Sequence, residues 1–119
     1  MYSFIAAFDI KTGKERWRVD HDVSWVITSP AVWDGLVFAG SSDAHFVQAV
    51  ALATGEEVWR AETAGTAWAS PSVAGGVVAF ADSTGTVQAF DARSGAPRWS
   101  HRLTGGVRSA LVPFDGGLL

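Results

Sequence analysis

One segment of this sequence occurs three times, and its spacing restricts the fold more than any other feature. The copies superpose without gaps at residues 7–17, 49–59 and 89–99. Each copy has a glycine four residues before a tryptophan, and consecutive copies lie 42 and 40 residues apart. A Ser-Pro-x-Val pattern that begins at Ser29 recurs 41 residues later. Two patterns with one period indicate that the chain is built from structural repeats.

Short apolar runs within each repeat predict β-strands. Residues 36–40 and 77–81 are apolar runs next to glycine, and residues 87–91 alternate between apolar and polar. The 13 glycines leave little room for a helix of ordinary length. We therefore predict an all-β chain in which the four antiparallel strands of each repeat form one β-propeller blade.

The glycine and tryptophan of the repeated segment have a structural interpretation. Glycine supplies the positive φ of a short hairpin with a bulge, and the preceding acidic residue accepts hydrogen bonds from turn amides. The tryptophan is predicted to lie across the neighbouring blade, with its N–H directed at a backbone carbonyl. Because these residues recur once per blade, we interpret them as blade contacts and not as active-site residues. The predicted structural motif comprises Asp9, Thr12, Gly13, Trp17, Thr54, Gly55, Trp59, Asp91, Ser94, Gly95 and Trp99.

The pattern Ala-x-Asp-x-x-Thr-Gly-x-x-x-Trp resembles the signature of the PQQ-like, or quinoprotein-type, propeller repeat. Ala51 replaces the aspartate in the second copy and Ser94 replaces the threonine in the third, which is expected to weaken individual turns. The family includes eight-bladed quinoprotein dehydrogenases, a lipoprotein of the outer-membrane β-barrel assembly machinery, and sensor propellers of bacterial Ser/Thr kinases. The resemblance implies a periplasmic or extracytoplasmic location, although the residues themselves leave the compartment unknown.

The repeats divide the chain into a half blade at 1–20, blades at 28–61 and 70–102, and a half blade at 107–119. Three blades' worth of strands is too few for a closed propeller, which has about four to eight blades. Two explanations stand. The chain is a fragment of a larger propeller, or it is a homo-oligomer in which two copies complete a six-bladed ring.

Composition excludes several classes of function. A net charge of −3 with only 9 Lys and Arg gives no footprint for nucleic acid. The absence of cysteine excludes disulfides, thiolate metal sites and cysteine nucleophiles. No apolar run is long enough for a membrane span, and residues 1–9 lack the basic and apolar regions of a secretory signal.

No catalytic, cofactor-binding or metal-binding residue is predicted, and the chain is interpreted as non-enzymatic. His21 lies between two aspartates, but adjacent side chains of an extended chain point to opposite faces, so we place it in a solvated loop. The alternative is a segment of a PQQ-dependent alcohol or sugar dehydrogenase. The resemblance implies that such enzymes carry vicinal cysteines and a calcium held partly by amides. This chain has no Cys and no Asn, and Gln48 and Gln88 occupy equivalent repeat positions.

Three tryptophans lie outside the repeated motif: Trp25, Trp33 and Trp68. They fall on or near the inner strands, whose ends line the central funnel of a propeller. They are candidate funnel contacts, either stacking on a ligand or packing between blades. The function that we predict is a non-catalytic binding module, scaffold or sensor. Its partner is a protein or a small molecule held in the funnel.

Overall fold

The chain is all β in the computed structural model, which confirms the predicted fold class. The structure describes residues 3–21, 24–26, 28–67, 69–103, 113–114 and 117–118. In those ranges, no helix is long and apolar enough to cross a membrane. The strands are β1 (Ser3–Phe8), β2 (Glu15–His21), β3 (Ala31–Trp33), β4 (Leu36–Gly40), β5 (Phe46–Ala51), β6 (Glu57–Glu62), β7 (Ser72–Ala74), β8 (Val77–Ala81), β9 (Thr86–Asp91), β10 (Pro97–Arg102), β11 (Pro113–Phe114) and β12 (Gly117–Leu118).

The strands form antiparallel meanders in the order of the sequence. Strands β3 to β6 make one four-stranded sheet, and β7 to β10 make another. These are the first and second full blades. Strands β1 and β2 pair with each other and correspond in the repeat to β5 and β6, so they are the first half-blade. Strands β11 and β12 also pair with each other and form the last half-blade.

Tight turns between the first two strands of each full blade follow from their residues. Asp34 and Gly35 have φ values of 45° and 76°, and Gly75 and Gly76 have values of 58° and 79°. Two successive residues with positive φ make the turn whose twist matches that of the flanking strands, and Asp-Gly and Gly-Gly adopt it readily. The inner strand of each blade is therefore held directly against the second strand.

The main hydrophobic core lies between the two full blades. From the first full blade it takes Phe38, Val47, Ala49 and Trp59, and from the second it takes Val78, Phe80 and Phe90. The ring of Trp59 is 6.2 Å from that of Phe38 and 5.6 Å from that of Phe90, measured between centroids. Since strand side chains alternate between faces, each blade buries one face against each neighbour. The other face of the second full blade carries the small residues Ala69, Ala79, Ala81 and Val87.

Candidate functional site

The repeated turns are closed by the acidic residue that precedes them. Asp9 Oδ1 accepts hydrogen bonds from the backbone N–H groups of Lys11 and Thr12, at 2.9 and 3.0 Å. Asp91 Oδ1 does the same for Arg93 and Ser94, at 3.1 and 3.0 Å. A short carboxylate side chain satisfies turn amides that a hairpin leaves without ladder partners. The hairpins therefore rest on side chains as well as on strand pairing.

The two residues that depart from the motif, Ala51 and Ser94, affect the hydrogen bonds of their turns differently. With Ala51 in place of aspartate, the second turn retains the backbone bond from the N–H of Gly55 to the Ala51 carbonyl, at 2.7 Å. Ser94 Oγ accepts from the N–H of Ala96 at 3.2 Å, as Thr54 Oγ1 does from Glu56 at the same distance. The serine hydroxyl thus makes the bond that threonine makes in the preceding repeat.

An arginine on the following strand pairs with each of these aspartates. Arg98 donates to Asp91 Oδ2 at 2.8 Å, and Arg16 donates to Asp9 Oδ2 at 3.0 Å. The Arg98 hydrogen bond, followed by the backbone N–H of Ser94, lowers the pKa of Asp91 from 3.8 to about 2. The Arg16 hydrogen bond lowers the pKa of Asp9 in the same way. Both aspartates are half-buried, but the side chains of Arg16 and Arg98 are 66% and 53% exposed. Ion pairs open to solvent on one side fix turn geometry more than they add stability.

Trp17 lies across the boundary between the first half-blade and the first full blade. Its Nε1–H donates to the carbonyl oxygen of Leu52 at 2.7 Å. Its ring covers Gly55 so closely that a Cβ built there would be 2.7 Å from the indole. Gly55 has φ 77°, so the position favours glycine both for its backbone and for the close approach of the ring.

Trp59 repeats this contact at the next boundary. Its Nε1–H donates to the carbonyl oxygen of Ala92 at 2.9 Å, and a Cβ on Gly95 would be 2.6 Å from its ring. Trp59 is only 8% exposed. Trp99, at the same repeat position in the second full blade, is 46% exposed.

His21 is buried, so its predicted position in a solvated loop is wrong. Strand β2 extends through His21, whose side chain is 6% exposed. Its Nε2 lies 2.6 Å from Gln48 Oε1, and Gln48 Nε2 donates to Glu57 Oε2 at 2.7 Å. The alternation of Trp17 and His21 on one face of β2 is the sequence signal that points to this contact.

Trp25 is presented on a loop that is hydrogen-bonded on two sides. Its backbone carbonyl accepts from the N–H of Ser42 at 2.9 Å, and the next residue, Val26, donates its N–H to Ser3 Oγ at 2.8 Å. The indole is 45% exposed. The loop between blades is therefore attached to the turn between β4 and β5, while the Trp25 side chain faces solvent.

Trp33 lies at the opposite end of the inner strand, against the second full blade. It is half-buried and contacts the main core. The guanidinium of Arg93 lies 5.2 Å from its ring centroid and also pairs with Asp34. A Cβ on Gly76 would be 3.8 Å from the indole. The third candidate funnel contact, Trp68, lies outside the described residues.

Among the residues that the structure describes, no group of three or more His, Asp or Glu side chains is arranged to hold a metal ion. Arg60 extends the His21–Gln48 chain of hydrogen bonds by donating to Glu57 at 2.7 Å. It also lies 3.9 Å above the ring of Phe46. His21, Gln48, Glu57 and Arg60 thus form one hydrogen-bonded chain at the boundary between the first half-blade and the first full blade.

Comparisons with known proteins agree with this architecture. The chain matches the family model described as outer membrane protein assembly factor BamB over residues 3–115. It is similar to BamB from Moraxella catarrhalis, with a TM-score of 0.73 and 24% identity, covering 83% of this chain and 30% of that one. The chain therefore spans about a third of that structure. No curated protein sequence matches it significantly.

Designed and enzymatic propellers are also similar in structure. The computationally designed Ika4 protein has a TM-score of 0.83 and 25% identity, over 97% of this chain and 71% of that one. Quinohemoprotein alcohol dehydrogenase from Comamonas testosteroni has a TM-score of 0.69 and 26% identity, over 82% of this chain and 18% of that one. The same blade geometry therefore occurs in proteins of different activities, and fold alone does not assign a function.

Proposed function

Because the chain belongs to the PQQ-like repeat family described as outer membrane protein assembly factor BamB, we propose that it is a non-catalytic scaffold segment that presents loops to a protein partner. The family match confirms the resemblance found in the repeats. This role applies to the segment within a complete propeller, whether the other blades belong to the same chain or to another chain.

The observation that carries the proposal is the use of the repeated tryptophans. Trp17 and Trp59 each place the ring on a turn glycine of the next blade and donate the N–H to a backbone carbonyl there. An indole can make contacts through its apolar ring and through its N–H donor. In Trp17 and Trp59 both of these make contacts within the protein. The motif joins successive blades, and the rings of Trp17 and Trp59 are therefore not free to stack on a quinone or a sugar.

The loop that carries Trp25 is the surface that we assign to the partner. An exposed tryptophan on a preorganised loop contributes large contact area at little entropic cost, and tryptophan is enriched at the energetic centres of interfaces. The bonds from Ser42 and to Ser3 hold this loop in place before binding. A protein partner fits an exposed indole on a loop better than a small molecule does, since small ligands favour concave sites.

Site-specific photo-crosslinking tests the assignment. A photoactivatable residue at Trp25, in the protein expressed in its native cells, is expected to give adducts of discrete mass with another protein. The same residue at Val58, which is similarly exposed on β6, is the matched control and is expected to give none. Absence of an adduct at Trp25, or equal adducts at both positions, contradicts the proposal.

A segment of a quinoprotein dehydrogenase is the second candidate, favoured by the likeness to the quinohemoprotein alcohol dehydrogenase. Calorimetric titration with pyrroloquinoline quinone and calcium separates the two candidates. The scaffold proposal predicts no saturable heat of binding and no dye-linked alcohol oxidation. Tight binding of the quinone, or turnover of an alcohol, would replace the first candidate with the second.

A further inference from the structure

A groove of about 410 Å³ lies between the outer strands of the two full blades. One wall is the end of β6 in the first full blade, and the other wall is formed by β9 and β10 of the second. Both walls therefore belong to blades whose four strands are all described. The lining includes Ala61 from β6, and Gln88, Phe90, Pro97, Arg98 and Ser100 from β9 and β10.

The corresponding space at the preceding boundary, between the first half-blade and the first full blade, is filled by large side chains. His21 lies 2.6 Å from Gln48 there, and Gln48 donates to Glu57. Arg60 also donates to Glu57, and it lies over the ring of Phe46. As a result, the side chains of His21, Phe46 and Gln48 are all buried.

Four of these positions carry smaller residues at the boundary between the two full blades. The repeat equivalents of His21, Phe46, Glu57 and Arg60 are Thr63, Thr86, Pro97 and Ser100. Gln88, the equivalent of Gln48, therefore lacks both of the partners that Gln48 has, and it is less buried. Because protein interiors are close-packed, smaller side chains at neighbouring positions leave a volume that a ligand can occupy.

The polar side chains that line the groove are rich in hydrogen-bond donors. Arg98 donates to Asp91 Oδ2 at 2.8 Å through one terminal nitrogen, and a guanidinium carries five N–H donors. The Arg98 side chain is 53% exposed, so its other donors are accessible to a ligand. The carboxamide of Gln88 and the hydroxyl of Ser100 can also donate. The groove is thus suited to a ligand with a strong acceptor group.

A carboxylate on an apolar body matches this lining. A guanidinium pairs well with the two oxygens of a carboxylate, whereas a ligand ammonium would face a like charge. Ala61, Phe90 and Pro97 offer apolar contacts beside the donors. The volume also falls within the range of small-ligand sites, about 300–1,000 Å³.

We propose that this groove binds a small organic carboxylate, with the carboxylate on Arg98 and the apolar body against Ala61 and Pro97. Gln88 and Ser100 add hydrogen bonds along the same wall. The site lies between the two full blades and is separate from the loop that carries Trp25. It does not depend on the role proposed for that loop.

A titration followed by heteronuclear NMR tests the site with an internal reporter. The chain has two glutamines and no asparagine, so its side-chain carboxamide signals come from Gln48 and Gln88 alone. The probe is hydrocinnamate, a phenyl ring on a short chain that ends in a carboxylate. It is expected to shift the Gln88 signals saturably, with a Kd of about 1–10 mM for a ligand of about eleven non-hydrogen atoms.

The Gln48 signals are the control, since Gln48 stands at the filled boundary, and they are expected to stay in place. A titration in which the Gln88 signals do not move overturns the proposal. Equal movement of the Gln48 and Gln88 signals also overturns it, because binding is then not confined to the groove.

Two analogues of the probe separate the carboxylate from the apolar body. The uncharged hydrocinnamamide is expected to bind about tenfold more weakly, because it cannot form the charge-assisted bonds to Arg98. Phenylpropylamine, which carries an ammonium group, is expected to give no saturable shift. Equal binding of all three probes overturns the role assigned to Arg98.

Arg98→Gln is expected to weaken the binding of hydrocinnamate about tenfold or more. Arg16→Gln is the matched control, because Arg16 occupies the same repeat position and pairs with Asp9 as Arg98 does with Asp91. Arg16 is not part of the groove lining, so binding to Arg16→Gln is expected to match that of wild type. Equal affinity of the two variants contradicts the assigned contact.

The double variant Pro97→Glu with Ser100→Arg tests the position of the site. It restores at the second boundary the pair that Glu57 and Arg60 form at the first. The restored pair is expected to fill the groove and abolish the shift of the Gln88 signals, while circular dichroism shows the same β-spectrum as wild type. Binding of hydrocinnamate that survives in the folded double variant overturns the assignment to this groove.

Discussion

The indole N–H of Trp59 donates a hydrogen bond to the carbonyl oxygen of Ala92, at 2.9 Å, across the boundary between the two full blades. The same ring covers Gly95, three residues further along the turn. One side chain therefore joins two hairpins that are far apart in sequence, through a polar contact at one end and an apolar contact over its face. The contact accounts for the spacing of the repeat, since each tryptophan needs a turn one blade later.

Substitution of the turn glycines is expected to separate the effect of backbone conformation from that of the ring. Gly95→Ala and Gly13→Ala both place a Cβ on a backbone of nearly the same positive φ, which costs about 1–2 kcal/mol. Only the Cβ at position 95 meets the Trp59 ring, and this overpacking adds about 1–3 kcal/mol. Urea unfolding in dilute solution is the measurement.

The pair is its own control, since the substitution and the backbone are matched and only the neighbour differs. If the free energy of unfolding falls equally in Gly95→Ala and Gly13→Ala, the Trp59 ring moves away from the added Cβ without loss of stability. In that case the close approach of Trp59 does not constrain the position.

Trp59→Phe is expected to lower the free energy of unfolding by about 1–3 kcal/mol. Phenylalanine retains much of the buried area but leaves the carbonyl of Ala92 without its donor in a buried setting. Trp59→Ala also removes the ring and is expected to cost about 3–5 kcal/mol. Trp99→Phe in dilute solution is the control, because this exposed position is expected to change by less than about 0.5 kcal/mol. If Trp59→Phe and Trp99→Phe lowered the free energy of unfolding equally, the buried contact of Trp59 would not distinguish it from the exposed Trp99.

The strands and turns could be predicted from the sequence because their signals are local and repeated. The Thr-Gly turn, the Asp34-Gly35 hairpin and the apolar runs each specify backbone geometry through a few neighbouring residues. The acceptor at Leu52 could not be identified in this way, because its carbonyl is common to every residue type. Its role depends on which blade lies beside it.

The wrong prediction for His21 and the different exposure of the repeated tryptophans both arise from tertiary contacts. The prediction places His21 in a solvated loop because the aspartates on either side of it point to the opposite face, yet β2 continues through His21 and directs its ring at Gln48. Trp59 and Trp99 have the same local sequence pattern and very different exposure. Local pattern specifies where a side chain projects, whereas the neighbouring blade determines whether it is covered.

Removal of Arg98 is expected to change the acid titration of Asp91. The folded-state pKa of Asp91, about 2, lies below its ordinary value of 3.8. Because the pKa is lowered on folding, its contribution to stability is fully present above pH 3.8 and is lost as the pH falls through about 2. In Arg98→Ala the pKa is expected to rise towards 3.8, while the backbone N–H bonds from Arg93 and Ser94 keep it from reaching that value.

Carbon-detected NMR titration of the Asp91 carboxyl group measures this shift directly. Arg102→Ala removes an exposed arginine from the same strand, β10, and is expected to leave the titration unchanged. A midpoint for Asp91 that does not move in Arg98→Ala would show that the turn amides alone hold the carboxylate in its charged form.

The two repeat-equivalent glutamines are expected to respond very differently to truncation. Gln48 is buried and bridges His21 and Glu57. Gln48→Ala leaves the His21 ring facing a buried site without its hydrogen-bond partner, which is expected to lower the free energy of unfolding by about 1–3 kcal/mol. Urea unfolding at neutral pH is the measurement.

Gln88→Ala is the matched control, because the surroundings of Gln88 lack both partners. Pro97 stands at the repeat position of Glu57, and Thr63 stands at that of His21 and donates its hydroxyl to the Gly65 carbonyl at 2.8 Å. Gln88 is also less buried than Gln48, so its truncation is expected to change stability by less than about 0.5 kcal/mol. A similar loss for both variants would mean that the glutamines act through packing within their strands, and that the His21 bridge adds nothing to the contact between blades.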